Sequence, residues 1–298
     1  MGDIYELEGV IGTGTFGVIT KVRRKSDRQI FARKELHYGR MDERDLRQLG
    51  EEVNILQKLS QNEHIVRYHE RFVDKIEQKL FLVMEFCENG DLGRVIQKVK
   101  NDRTYLHEDL VWSYLTQITL ALSDCHSEVD SQGRPKPVIL HRDIKPENVF
   151  LDRDHNVKLG DFGLSKAIEA ATFANTYVGA TCLIANLQTP YYMSPELING
   201  QNYDIKSDIW ALGCLIYELC AKFPPFHDAR TQPELAKLIR DGKIAPLPSV
   251  YSRELETFVR SMLKQNVRCF AFKFLASRRF SDPNSYPGSS AKIKTFNR

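Results

Sequence analysis

The stretch His141-Arg142-Asp143-Ile144-Lys145-Pro146-Glu147-Asn148 sets a carboxylate, a cation and an amide within one short segment, and Asp161-Phe162-Gly163 adds a second carboxylate soon after. Phosphoryl transfer asks little covalent chemistry of a protein; positioning and charge neutralisation carry it. Asp143 can accept a hydroxyl proton, and Lys145 can neutralise a moving phosphoryl group. Asn148 and Asp161 are oxygen ligands suited to magnesium. The apolar runs Val138-Ile139-Leu140 and Asn156-Val157-Lys158-Leu159 predict strands that hold these polar groups rigidly. Either motif taken singly also reads as a solvated charged loop.

Upstream lies Gly12-Thr13-Gly14-Thr15-Phe16-Gly17. A dinucleotide fold needs a helix straight after such glycines, but Val18 to Val22 alternates as a strand. A Walker A loop needs Gly-Lys-Ser/Thr, and Val18 follows Gly17 instead. What remains is a glycine hairpin between two strands whose backbone can lie over phosphates. Lys34 closes the next strand-like run, Ile30 to Lys34, and can pair with phosphates if a carboxylate holds it. Glu52 is the candidate, on a helix predicted from Asp42 to Leu59 by the recurrence of Leu46, Leu49, Val53, Leu56 and Leu59; Glu51 competes with it.

Further short runs, Val66 to Val73 and Leu80 to Phe86, make the first section strand-rich with one long helix. After Gly90 helices dominate: Asp109 to His126, a nearly all-apolar and so buried Ser207 to Lys222, Pro233 to Asp241, and Ser252 to Lys264. Ser127 to Pro137 reads as a polar loop. Asp208 is placed to cap the buried helix or to hold the 141–148 loop.

Composition fits this picture. In 298 residues, 42% hydrophobic and 27% charged residues are ordinary globular values. A net charge of +3 is too even to mark a nucleic-acid or membrane-surface binder. Six scattered cysteines, with no C-x-x-C pair or zinc spacing, point to a reduced, intracellular chain. The acidic start, with Asp3, Glu6 and Glu8, is unlike a secretory signal, and no apolar run approaches a membrane span.

Together, in this order, these motifs and Ser194-Pro195-Glu196 resemble the eukaryotic protein kinase signature set over about Tyr5 to Asn266. Closer resemblance is to the NIMA-related Ser/Thr kinases. It rests on Leu82-Val83-Met84-Glu85-Phe86-Cys87-Glu88-Asn89-Gly90-Asp91-Leu92, on Asn156 through Lys166, and on Thr189-Pro190-Tyr191-Tyr192-Met193-Ser194-Pro195-Glu196. The polar insert after Cys125-His126 resembles fungal members.

The resemblance implies an α+β, two-lobed protein kinase-like fold: a β-rich N-lobe of about residues 5–86, a helical C-lobe of about 87–266, and a basic tail, 267–298, of unassigned structure. It implies an ATP- and Mg2+-dependent kinase acting on Ser or Thr of protein substrates in cell-cycle or mitotic control. Asp143 is the implied base and Lys145 its catalytic partner; Asn148 and Asp161 are the implied metal ligands. Ile11, Gly12, Gly14, Gly17, Ile19, Lys34, Glu52, Glu85 and Cys87 complete the nucleotide site, with Met84 at the gatekeeper place. Thr176 matches the family's activating phosphorylation site and would pair with Arg142 once phosphorylated. A second copy of the chain, as homodimer or autophosphorylation partner, is a further expectation; nucleic acid and membrane are not. The implied location is cytoplasm and nucleus, with spindle poles.

Two departures stand against this pattern. Val178-Gly179 is separated from Thr189 by nine extra residues, Ala180 to Gln188, where a substrate peptide should lie. Doubling a loop costs only about 0.6 kcal/mol, so the insertion bears on function more than on stability. After Asn266 the closing segment of the family is absent, and with it the Arg expected to pair with Glu196; a buried Glu left alone costs about 3–5 kcal/mol. Arg268 or Arg278 are the substitutes at hand. Translated intron sequence would account for both departures, and a transcript carrying these residues in abundance would contradict that. The tail holds seven basic residues and one acidic, so the net positive charge belongs to it and residues 1–266 are slightly acidic. If the departures disable the substrate platform, a nucleotide-binding, catalytically impaired scaffold is the alternative. A small-molecule kinase is a remoter one, which the Thr189 to Glu196 motif disfavours.

Overall fold

The computed structural model describes residues 4–14, 17–39, 41, 46–47, 49–50, 53–54, 57, 59, 61–130, 132–161 and 190–264. These fall into two compact units, one of residues up to 95 together with 120–190, the other of 96–119 and from 191 onward. Thr15, Phe16, Glu52, Thr176, the insertion 180–188 and the tail 267–298 lie outside the described residues.

The first unit is built on a five-stranded antiparallel sheet: β1 (Tyr5–Gly14), β2 (Gly17–Arg24), β3 (Ile30–His37), β4 (Tyr68–Asp74) and β5 (Lys79–Glu85), in the order β1-β2-β3-β5-β4. Strand period two assigns its faces. On one face Tyr5, Val22, Phe31 and Val83 form a core with Phe72 packed against it. Tyr5 meets Phe31 and Phe72 edge-on, at centroid distances of 5.8 and 6.1 Å. The register sets Lys34 opposite Leu82 and Leu36 opposite Leu80, on the other face. The expected helix is present at each described position from Leu46 to Leu59; Leu49, Val53 and Leu59 are buried, whereas Leu46 is exposed.

The expected strand at Val138 to Leu140 does not form. Ile139 donates its N–H to the Cys125 carbonyl at 2.9 Å, and no neighbouring strand runs beside the segment among the described residues. The hairpin that follows the 141–148 segment is instead β6 (Val149–Leu151) with β7 (Val157–Leu159). Its β7 strand is tied upstream: Leu159 N–H donates to the His64 carbonyl at 2.8 Å and Val66 N–H to the Leu159 carbonyl at 2.9 Å.

Helices α1 (Leu92–Asn101) and α2 (Glu108–His126) begin in one unit and end in the other. In the second unit, Pro195–Ile198 forms a single turn, α3, followed by α4 (Ile205–Ala221), α5 (Gln232–Asp241) and α6 (Arg253–Met262). The expected burial of α4 holds: of its residues only Ile205, Lys206 and Glu218 are not buried. Its cap is Asp204 rather than Asp208. The Asp204 carboxylate accepts from the N–H groups of Lys206 and Ser207, because it stands one residue before the helix where the unpaired amides point. Asp208 lies fully buried in the first turn and accepts from the Tyr203 hydroxyl.

Glu196 departs from expectation too. It is half-buried and accepts from Ser207 Oγ at 2.6 Å, which accepts in turn from Ser194 Oγ at 3.1 Å. A hydroxyl chain therefore satisfies one carboxylate oxygen without an arginine, and Arg268 and Arg278 lie outside the described residues. Among the described residues no helix is long and apolar enough to cross a membrane.

Gly213, in the middle of α4, marks where α6 presses closest. A Cβ there would stand 2.9 Å from Met262 Cβ and 3.0 Å from Leu263 Cδ2. Alanine gains about 1 kcal/mol of helix propensity, but overpacking costs about 1–3 kcal/mol. Gly213→Ala is expected to lower the unfolding free energy in a urea titration by up to about 2 kcal/mol, and an unchanged or higher value would show that the contact relaxes freely.

Candidate active site

The 141–148 segment is a loop stiffened from inside. His141 is fully buried; its Nδ1 accepts from the Asp143 N–H at 3.3 Å and its Nε2 faces the Gly160 carbonyl at 2.8 Å. Pro146–Asn148 adds a 3-10 turn, where proline suits the first position. Arg142 within the segment and Asp161 beyond β7 have φ of 69° and 56°, left-handed values that a non-glycine residue seldom adopts.

The predicted catalytic residues converge. Lys145 Nζ lies 3.0 Å from Asp143 Oδ2. The Asn148 amide donates to the Asp143 backbone oxygen and to Oδ2, both at 2.7 Å. With its N–H2 group turned to Asp143, Asn148 has its carbonyl oxygen as the donor for a cation. Gly160 N–H donates to the Asn148 carbonyl at 3.0 Å and sets the neighbouring Asp161 beside this loop.

Lys34 is buried on β3 and donates to Asp161 Oδ1 across 127 positions of sequence. The carboxylate is the described partner of the ammonium; Glu52, the expected one, lies outside the described residues. Burial, the largest single influence, raises the Asp161 carboxyl, but the Lys34 ammonium, its hydrogen bond and the further positive field of Lys145 and His141 together outweigh it, and the group stays ionised below its ordinary value of 3.8. The site thus offers a hard, charged oxygen (Asp161) and a neutral one (Asn148), a donor set that fits a small divalent cation.

Most of the residues expected to line a nucleotide lie on the sheet strands that flank Lys34. Gly12 pairs with Ile19 and Gly14 with Gly17 across β1 and β2, and Ile19 pairs with Lys34 across β2 and β3. Gly17 has φ 147°, and a Cβ on it would meet the Glu35 carbonyl oxygen at 1.7 Å, so no other residue fits. Ile11 is exposed and Ile19 half-buried. Met84 stands opposite Ala32, at the end of β5. Beyond it, Glu85 N–H donates to the Arg67 carbonyl at 2.9 Å, and its carboxylate meets Lys158 Nζ at 3.2 Å. Burial pushes the Cys87 thiol up to about 12, so it is an apolar wall rather than a nucleophile.

Comparison with known proteins agrees with this geometry. Residues 5–270 match the family model described as protein kinase domain. The chain belongs to the protein kinase family. Its similarity is to the NIMA-related branch. It is 49% identical over 281 residues to the G2-specific protein kinase nim-1 of Neurospora crassa, an alignment covering 89% of this chain and 32% of that protein. It is 49% identical over 260 residues to the serine/threonine-protein kinase Nek2 of Homo sapiens, covering 87% of this chain and 55% of that protein. The G2-specific protein kinase nimA of Emericella nidulans is 46% identical over 282 residues, 89% of this chain and 39% of that protein. The chain thus spans less than two thirds of the length of these relatives. Protein kinase domains use ATP and a divalent metal.

Two features of this kinase domain escaped the sequence reading: the direct Lys34–Asp161 pair, and the anchoring of β7 to the loop at 64–66. Neither has a local signal, because both join segments far apart in sequence.

The depressed Asp161 value carries a pH signature. A carboxyl lowered in the fold contributes stability that is complete above its unfolded value and lost as pH falls through the folded one. Lys34→Met removes the opposing cation while burial persists, so the Asp161 carboxyl of the variant is expected to titrate above its wild-type value. A carboxyl-carbon NMR titration reads this, and an unmoved or lower midpoint would contradict the pairing.

Proposed function

We propose that this chain is a Ser/Thr protein kinase that transfers the γ-phosphoryl group of ATP to protein hydroxyls in cell-cycle control. The observation that carries the reading is the convergence of Asp143, Lys145 and Asn148 in one loop with the Lys34–Asp161 pair beside it. In this reading the substrate hydroxyl loses its proton to Asp143 as its oxygen bonds to the γ-phosphorus. The bond from that phosphorus to the β–γ bridging oxygen breaks, and ADP leaves. Lys145 offsets charge on the transferring group, and Lys34 steadies the phosphates under Gly12, Gly14 and Gly17. Asn148 and Asp161 would hold Mg2+, which supplies neutralisation of the phosphate oxygens. Ile11, Ile19, Met84, Glu85 and Cys87 line the base, and Glu52 is the second proposed anchor for Lys34.

The proposed domain covers residues 1–266, with N-lobe about 5–86, C-lobe about 87–266, an insertion at 180–188, and 267–298 as a basic tail. Thr176 is proposed as the regulatory phosphosite, with another copy of the chain as autophosphorylation partner. Cytoplasm and nucleus, with spindle poles, are the proposed locations; the G2-specific names of two relatives support a cell-cycle role.

Asp143→Asn is expected to lower turnover on a generic Ser/Thr substrate by roughly 10²–10⁴-fold while Mg-ATP still binds. Undiminished transfer by the variant would overturn the base assignment. The same assay on the wild-type chain beside one lacking Ala180 to Gln188 tests the insertion. Binding without transfer in the former, with transfer restored in the latter, would support the impaired scaffold for the chain as it stands.

A further inference from the structure

The segment expected to be a polar loop, Ser127 to Pro137, folds as a small hairpin. Val129 bridges Pro135, Asp130 N–H donates to the Arg134 carbonyl and Lys136 N–H to the Glu128 carbonyl, both at 2.8 Å. Gly133 takes the turn position with φ 75°. The Asp130 carboxylate closes the turn, accepting from the N–H groups of Gln132 and Arg134 at 2.8 and 2.9 Å and from Arg134 Nε at 2.7 Å. This hairpin presents Lys136 to Asp124 near the end of α2, where Nζ donates to Oδ1 at 2.9 Å and to the Asp124 backbone oxygen.

The other oxygen of Asp124 accepts from Asn62 Nδ2 at 3.1 Å. Asn62 lies in the loop that follows the 46–59 helical residues, and its own Oδ1 accepts from the His64 N–H at 2.8 Å. The His64 carbonyl accepts from Leu159, two residues before Asp161. A cavity of about 1080 Å³ is lined by residues of both the hairpin and the 61–62 loop, among them Gln61, Asn62, Val129 and Lys136, with Asp124 between them. The Asp124 carboxylate, held by a donor from each side, is a direct polar link between the two at this place.

We propose that Lys136 is a positioning residue: through Asp124 and Asn62 it holds the 61–66 loop, and through that loop strand β7, so that Asp161 stands where Lys34 meets it. The catalytic consequence rests on the kinase reading; the structural coupling does not. Contiguity alone does not establish coupling, so the test must read the far end of the chain of bonds.

Amide hydrogen exchange on the full chain does so without any need for activity. Lys136→Met keeps the aliphatic stem and removes the charge. It is expected to speed exchange at Val66 and Leu159 by about three- to tenfold, with amides of the β1–β2 ladder unchanged, and Lys136→Arg is expected to restore protection. Exchange changes confined to residues 127–137 would overturn the proposal. Asp124→Asn, at a half-exposed position, gives the same readout if Lys136→Met does not fold. In parallel, Lys136→Met should raise KM for ATP by about three- to tenfold with kcat nearly unchanged. Faster exchange at Val66 and Leu159 in a chain that neither binds nor uses Mg-ATP would sink the kinase reading and leave the coupling standing. Normal exchange in an active kinase would do the reverse.

Discussion

The contact between Lys34 and Asp161 is the constraint on which the site depends. It joins a strand of the sheet to the end of the segment that carries the catalytic loop, and both partners are largely withdrawn from water, with side chains 10% and 24% exposed. Removing one partner of such a pair leaves the other charge uncompensated in a low-dielectric setting, which is far more costly than losing a surface ion pair. The pair thus ties the strand that follows the glycines of β1 and β2 to the oxygens of Asn148 and Asp161, the proposed phosphate and cation sites. A carboxylate proposed to bind a cation must stay ionised, and the lysine favours that state.

Around the pair, order is built from polar side chains that each make more than one hydrogen bond. His141, fully buried, ties its loop to Gly160. Asn148 gives its amide protons to Asp143 and accepts at its backbone carbonyl from the Gly160 N–H, so one residue ties Asp143 and the neighbour of Asp161 together. Left-handed backbone at Arg142 and Asp161 is the local strain that this bonding holds in place.

How far the sequence could be read follows from where each interaction lies. Asp143, Lys145 and Asn148 share one short segment, so their chemistry was legible from residue order alone. The sheet and the buried helix α4 were legible from alternation and from an unbroken apolar run. Interactions between distant segments were not. Helical periodicity directed Lys34 to Glu52, which lies outside the described residues, and nothing in the sequence pointed also to a carboxylate 127 residues away. Apolar content at Val138 to Leu140 suggested a strand, but a strand needs a neighbour, and the partner of β7 is Val149–Leu151. Asp204 and Asp208 are both acids at a helix start; only backbone geometry tells the cap from the buried residue. Likewise Glu196 looked orphaned until Ser207, 11 positions on, was seen to reach it.

The central claim, that the Lys34–Asp161 pair and the 141–148 loop make one metal-dependent nucleotide site, is tested most directly by calorimetric titration of ATP, with and without magnesium, into the chain and its Asp161→Asn variant. The account predicts binding strengthened by magnesium in the wild type and a loss of that metal dependence in the variant. ATP binding that is absent, or that ignores both the metal and the substitution, would contradict it.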